Sequence, residues 1–232
     1  MNKSIKSVIP ETTIIGQNVI IEDDVEIGHN VVIRSGVSIG ENCKILDGAV
    51  LGKQPAKASL SATTGDPRIL PPLVLGRAVT IGANCVIYRG AVLGDGVFVG
   101  DLASIREDVT VGELTIIGRG VTIENKTTIG LKCKIETEAY ITALSTVEDY
   151  CFIAPCTAFT NDNFLGRTEE RKKHFGGPTL KRGARIGANA TLLPRDHCGG
   201  RCPRRRWQCG HERRLSPDDR RGFSRESSPA RT

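Results

Sequence analysis

From Ile15 onward an aliphatic residue returns at every sixth position, at Ile21, Ile27, Ile33, Ile39, Ile45 and Leu51. Two places before each marked residue stands a second small or apolar side chain: Thr13, Val19, Val25, Val31, Val37, Cys43 or Ala49. The series breaks, resumes at Leu75 and holds its period to Phe159, then breaks again and returns at Leu180, Ile186 and Leu192. Every marked position except Phe159 holds Ile, Leu or Val. Side chains two apart on an extended chain share a face, so each hexad predicts a short strand and a corner. Three strands close a triangular coil of eighteen residues, and coils about 4.8 Å apart stack their marked residues into one buried column. The pattern therefore predicts an all-β fold, a parallel β-helix of about eight coils. Two loop excursions interrupt it, near residues 53–72 and 163–177.

Composition agrees. The chain has 232 residues, 39% apolar and only 4% aromatic, with 26 glycines, which suits aliphatic columns and tight corners better than a helix bundle. No stretch approaches the roughly 20 apolar residues of a membrane span, and the first ten residues lack the apolar core of a secretory signal. A cytoplasmic location is expected, with no membrane partner.

The net charge of +6 changes meaning once it is divided along the chain. Residues 195–232 hold 11 arginines, no lysine and five acids, so the first 194 residues sum to zero. That basic segment has a single large aliphatic residue, Leu215. The division is therefore a β-helix domain over 1–194 and an Arg-rich tail over 195–232, expected to be disordered. Cys43, Cys85, Cys133 and Cys151 fall two places before a marked residue. They are expected to be packing thiols.

Hexads such as IGENCK, IGANCV and IGANAT resemble those of the left-handed β-helix, or hexapeptide-repeat, acyltransferases, and the resemblance covers residues 13–194. The segments FTNDNF and HFGGPTLKRGARIGANATLLP resemble the subgroup that N-acetylates amino sugars carried on UDP or dTDP. The resemblance implies a left-handed coil, against the usual crossover rule, and a homotrimer with an acyl-CoA in a cleft between subunits. It further implies acetyl-CoA as co-substrate, a small nucleotide-sugar acceptor, no metal and no nucleic-acid partner.

Asn161 and Asp162 stand at the corner where the coil opens into its second excursion, and loops leaving a rigid stack commonly carry function. They are candidates to orient an acceptor amine and to receive charge, although an Asn-Asp turn that ends a strand reads the same way. His174, in the same loop, is the candidate base among the histidines; His29 sits about six coils away and reads as an exposed corner residue. Lys181, Arg182 and Arg185 precede the last hexads, where the resemblance implies that CoA phosphates and pantetheine run along the coil past Gly187 and Ala188. Cationic forks suit phosphate. Arg167, Arg171, Lys172 and Lys173 read as a solvated helical turn. Two other functions stay open: O-acetylation of a sugar or small hydroxyl compound, which would want a histidine base, and a non-catalytic structural β-helix.

The tail departs abruptly from the family at Arg195. Read one base later, Trp207 through Arg214 permits GSVVTKDV, and Ser216 through Glu226 permits PPMTVVGFPAK, which is the family ending in order. A shifted reading frame is therefore expected. A zinc site on His197, Cys198, Cys202, Cys209 and His211, or a basic nucleic-acid arm, are the competing readings.

Overall fold

The computed structural model describes residues 9–57 and 68–199. Among these, 26 strands stack as a left-handed parallel β-helix. They form three sheets of nine, nine and eight strands. The first face begins with β1 (Ile14–Ile15), the second with β2 (Ile20–Ile21) and the third with β3 (Glu26–Ile27), and every third strand returns to the same face. Register follows the eighteen-residue coil: Ile14 lies against Val32, and Phe98 against Ile116.

The marked residues are the core. Ile33, Ile39, Ile45, Leu51, Ile87, Ile105 and Ile135 are all buried. Each such side chain contributes roughly 1.5–3 kcal/mol before chain entropy is subtracted. Cys43, Cys85, Cys133 and Cys151 are buried in the same columns as free thiols, and burial pushes the Cys85 thiol up to about 11.

Corners explain the rest of the hexad. The residue three places before each marked position has a left-handed backbone at every regular corner. Glycine, asparagine and aspartate fill many of these sites, as at Asn42, Gly48 and Asp108, since they tolerate that conformation best. Leu102 and Leu114 occupy it with φ of 62° and 55° while more than half exposed. Strain there is about 1–2 kcal/mol per residue, with little burial to offset it. Leu102→Asn and Leu114→Asn are therefore each expected to raise stability by about 0.5–1 kcal/mol, read as a higher urea midpoint. An unchanged or lower midpoint would contradict the strain.

The glycine after a marked residue has a different cause. A Cβ on Gly82 would lie 2.5 Å from the backbone nitrogen of Asp101, and one on Gly112 would lie 2.5 Å from that of Leu131. The next coil passes too close for a side chain.

The coil also runs further than the boundary at 194. The last strand, β26 (His197–Cys198), pairs with β23 (Thr179–Leu180), and Asp196 and Cys198 are buried in the inner columns. One hexad's worth of the Arg-rich text thus fits the stack, with Arg195 taking the left-handed corner. Cys202, Cys209, His211 and the rest of the tail lie outside the described residues.

A candidate functional edge

Both excursions leave from the same edge of the prism. The first follows β7 (Val50–Lys53) and the second follows β22 (Ala158–Phe159); both strands belong to the first face, and both excursions return to the second. Five coil steps separate β7 from β22, which is about 24 Å at about 4.8 Å per step.

Between them this edge differs chemically from the other two. On the other edges glycine commonly follows the marked residue, as at Gly82, Gly94, Gly100 and Gly112; here Tyr88, Arg106, Glu124 and Thr142 do so. Arg106 donates Nε to Glu107 at 2.8 Å and Nη2 to its other oxygen at 3.0 Å, while Nη1 reaches Glu124 at 3.3 Å. The guanidinium also lies 5.0 Å from the centre of the Tyr88 ring. Glu107 is 4% exposed, and Asn125 and Thr142 are buried beside the same edge. Burial raises the Glu124 carboxyl, Arg106 works to lower it and Glu107 raises it again, leaving it above the ordinary carboxylate value. Burial likewise raises the Tyr140 hydroxyl, with the Glu124 charge adding to it. A carboxylate that holds its proton more tightly than usual is suited to proton transfer. The sequence reading missed this group.

The returning end of the first excursion lies along the edge. Arg89 donates Nε to the Leu70 carbonyl at 2.9 Å, Arg68 pairs with Asp108, and Leu70 is buried near Gly90. The second excursion contains a 3₁₀ turn at Glu169–Lys173. Lys172 and Lys173 are exposed, as expected of a solvated turn, but Arg171 is largely buried. Its Nη1 reaches Asp162 at 3.3 Å, its guanidinium sits 5.6 Å from the Phe175 ring centre, and its Nε is buried without a hydrogen-bond partner.

Asp162 is occupied by the loop it starts. Its carboxylate accepts from the Phe164 N–H at 2.8 Å and the Gly166 N–H at 3.0 Å, besides Arg171. Burial works to raise this carboxyl, and those hydrogen bonds outweigh it and hold it below the ordinary range. The Asn161 carbonyl accepts from Gly176 N–H at 3.3 Å; no side-chain hydrogen bond of Asn161 occurs among the described residues. His174 is about half exposed, with Nε2 3.9 Å from Glu170 and its ring 5.6 Å from that of Phe164. His29 is exposed on a different edge.

The basic candidates lie elsewhere. Lys181 and Arg182 turn the edge between the second and third faces, Arg185 stands in β24 (Arg185–Ile186) on the third face, and Gly187 and Ala188 begin the next edge. Lys181 pairs with Glu148 at 2.8 Å and Arg182 with Asp149 at 3.6 Å, while Arg185 donates to the carbonyls of Gly183 and Ala184. This set flanks the third face, which is opposite the edge carrying Asn161, Asp162 and His174.

Comparison with known proteins agrees with this architecture. Residues 18–53 and 90–125 match the bacterial transferase hexapeptide (six repeats), and residues 72–100 match the hexapeptide repeat of succinyl-transferase. The resemblance to left-handed β-helix acyltransferases therefore holds for repeat and fold. Among solved structures, a UDP-N-acetylglucosamine acyltransferase is 22% identical, with 68% of this chain and 65% of that one covered and a TM-score of 0.53. The UDP-N-acetylglucosamine acyltransferase of Arabidopsis is 16% identical over 82% of this chain and 64% of that one, at a TM-score of 0.41. That of Bacteroides fragilis 9343 is 20% identical over 86% and 66%, at 0.37. The chain thus spans less than two thirds of the length of each of these structures. Comparison with curated proteins finds no match.

Proposed function

We propose that the protein is an acyltransferase that uses acetyl-CoA to acetylate the amino group of a nucleotide-linked amino sugar, acting in the cytoplasm as a homotrimer without a metal. The observation that carries this reading is the single edge on which both excursions, a largely buried carboxylate pair and the Asn161 amide occur together on a hexapeptide-repeat stack. The acceptor's unprotonated amine attacks the thioester carbonyl, forming the C–N bond. Collapse breaks the C–S bond, and the proton lost by the amine ends on the departing CoA thiolate. The Asn161 amide is the group suited to the developing oxyanion, while Arg171, its Nε buried, holds the loop through Asp162. Asp162, spent on backbone N–H groups and Arg171, is a positioning residue that holds the loop.

Trimer formation is supported by the opposition of the two candidate sets. Asn161, Asp162 and His174 on one edge, and Lys181, Arg182, Arg185, Gly187 and Ala188 around the opposite face, can serve one substrate pair only if two copies meet. A closed ring of three would give each copy one complete site.

The test is release of CoA thiol from acetyl-CoA with UDP- or dTDP-linked amino sugars. Asn161→Ala is expected to lower kcat about 10²-fold or more, and His174→Asn to change it little. Loss of all activity in His174→Asn with Asn161→Ala active would favour the O-acetyltransferase reading, and an absence of acyl-CoA binding would favour the structural one.

A further inference from the structure

The upper part of the same edge holds a feature that acyl transfer at the second excursion does not use. Arg34, Lys53 and Arg89, with Ser35, Gly52 and Gln54, line an open cleft of about 480 Å³. Three cations line it, and among the described residues no carboxylate does. Elsewhere on the stack basic side chains are commonly paired, as Arg77 with Asp95, Arg119 with Glu138 and Lys181 with Glu148. No carboxylate lies within 4.0 Å of the charged nitrogens of Arg34, Lys53 or Arg89 among the described residues.

The cleft is built by a departure from the hexad. Strand β7 runs for four residues instead of the usual two, and its ladder with β10 (Val86–Tyr88) slips in register between Ile87 and Tyr88. Such bulges re-aim side chains, and here the slip sets Lys53 opposite Tyr88, with Nζ 5.3 Å from the ring centre. Gly52, with φ of +77°, makes the turn. Arg89 is held from three sides: its backbone N–H donates to the Lys53 carbonyl at 2.9 Å, Nε to Leu70 and Nη1 to the Ser35 carbonyl at 2.7 Å. Its guanidinium is thus fixed by neutral acceptors, which leave its charge uncompensated among the described residues. Like charges held together disfavour one another, and an anion between them relieves the repulsion. A fixed guanidinium fork suits phosphate oxygens, and the volume is that of a small-ligand site.

We propose that this cleft is a phosphate site, taking the mono- or diphosphate group of a nucleotide between Arg34, Lys53 and Arg89. The proposal rests on the acyl-transfer reading only in the choice of nucleotides, since either the sugar nucleotide or CoA can present that group.

Calorimetric titration of the full chain with pyrophosphate, UDP and CoA tests it. The double variant Arg34→Gln/Lys53→Gln changes two exposed side chains, and Arg119→Gln on another edge is the comparison. Pyrophosphate affinity is expected to fall about tenfold or more in the double variant and to hold in Arg119→Gln. A matching fall for UDP assigns the site to the acceptor; a matching fall for CoA assigns it to the donor. Failure of all three probes to bind the full chain, or equal binding by the double variant, overturns the proposal. Since pyrophosphate binding needs no turnover, an inactive protein that binds it would remove the acyl-transfer reading and leave the phosphate site standing.

Discussion

Replacing Arg106 by leucine is expected to cost about 3–5 kcal/mol at pH 7, the range for removing one partner of a buried ion pair. The side chain is 18% exposed and bonds two carboxylates, one of them Glu107 at 5%. Without it, Glu107 and Glu124 stay largely buried with their common counter-charge gone. The loss should shrink as pH falls. Glu124 already has a raised folded-state pKa, from burial first and from Glu107, while Arg106 works to lower it. Deleting Arg106 raises it further. A carboxyl whose folded value exceeds its unfolded one binds more protons in the native state, so stability declines as pH rises through the folded value and recovers as pH falls toward the ordinary carboxylate range. Urea unfolding at pH 7 and pH 5 reads both effects. A loss below about 1 kcal/mol at both values, typical of an exposed pair, would show that the cluster is solvated.

Gly52→Ala is expected to cost about 2–4 kcal/mol, against about 1 kcal/mol for Gly96→Ala. Both glycines have a positive φ. A Cβ on Gly52 would lie 2.6 Å from Cγ2 of Val37, a fully buried core residue with nowhere to move. One on Gly96 would lie 2.7 Å from the tip of Leu114, which is more than half exposed and can swing away. Thermal unfolding of the two variants separates a packing cost from a backbone cost, and equal effects would mean that the bulge relaxes. Because Gly52 sets the turn before Lys53, the same variant should weaken pyrophosphate binding at the cleft.

The inner columns were legible in the sequence as far as Leu192, because a strand with one buried face must repeat its apolar positions and a triangular coil must repeat them in threes. The edge was legible too, by a step that periodicity alone omits. Fifteen hexads separate the two breaks, a multiple of three, so both excursions had to leave on the same side. Ordering the residues by eighteen brings Tyr88, Arg106, Glu124 and Thr142 into one file where other files hold glycine. What could not be read is burial at the corners. Glu107 and Asp101 both stand two places after a marked residue, yet Glu107 is buried and Asp101 exposed, since the depth of a corner depends on what lies against it. Nor does the order of residues reveal that the Asp162 carboxylate is taken up by its own loop, or that Lys181 and Arg182 face Glu148 and Asp149. The coil's continuation to Cys198 was hidden by composition, because arginine-rich text masked one hexad with acceptable inner residues.

A solenoid with three strands per coil turns sequence length into direction. Inserting or losing a whole coil between the excursions would change their separation and keep their bearing, whereas a change of a single hexad would swing one of them a third of a turn around the axis. For this chain the count of repeats is therefore a phase as well as a distance. Descent with changes in length is free only in steps of three hexads, which ties the history of the gene to the geometry of its product.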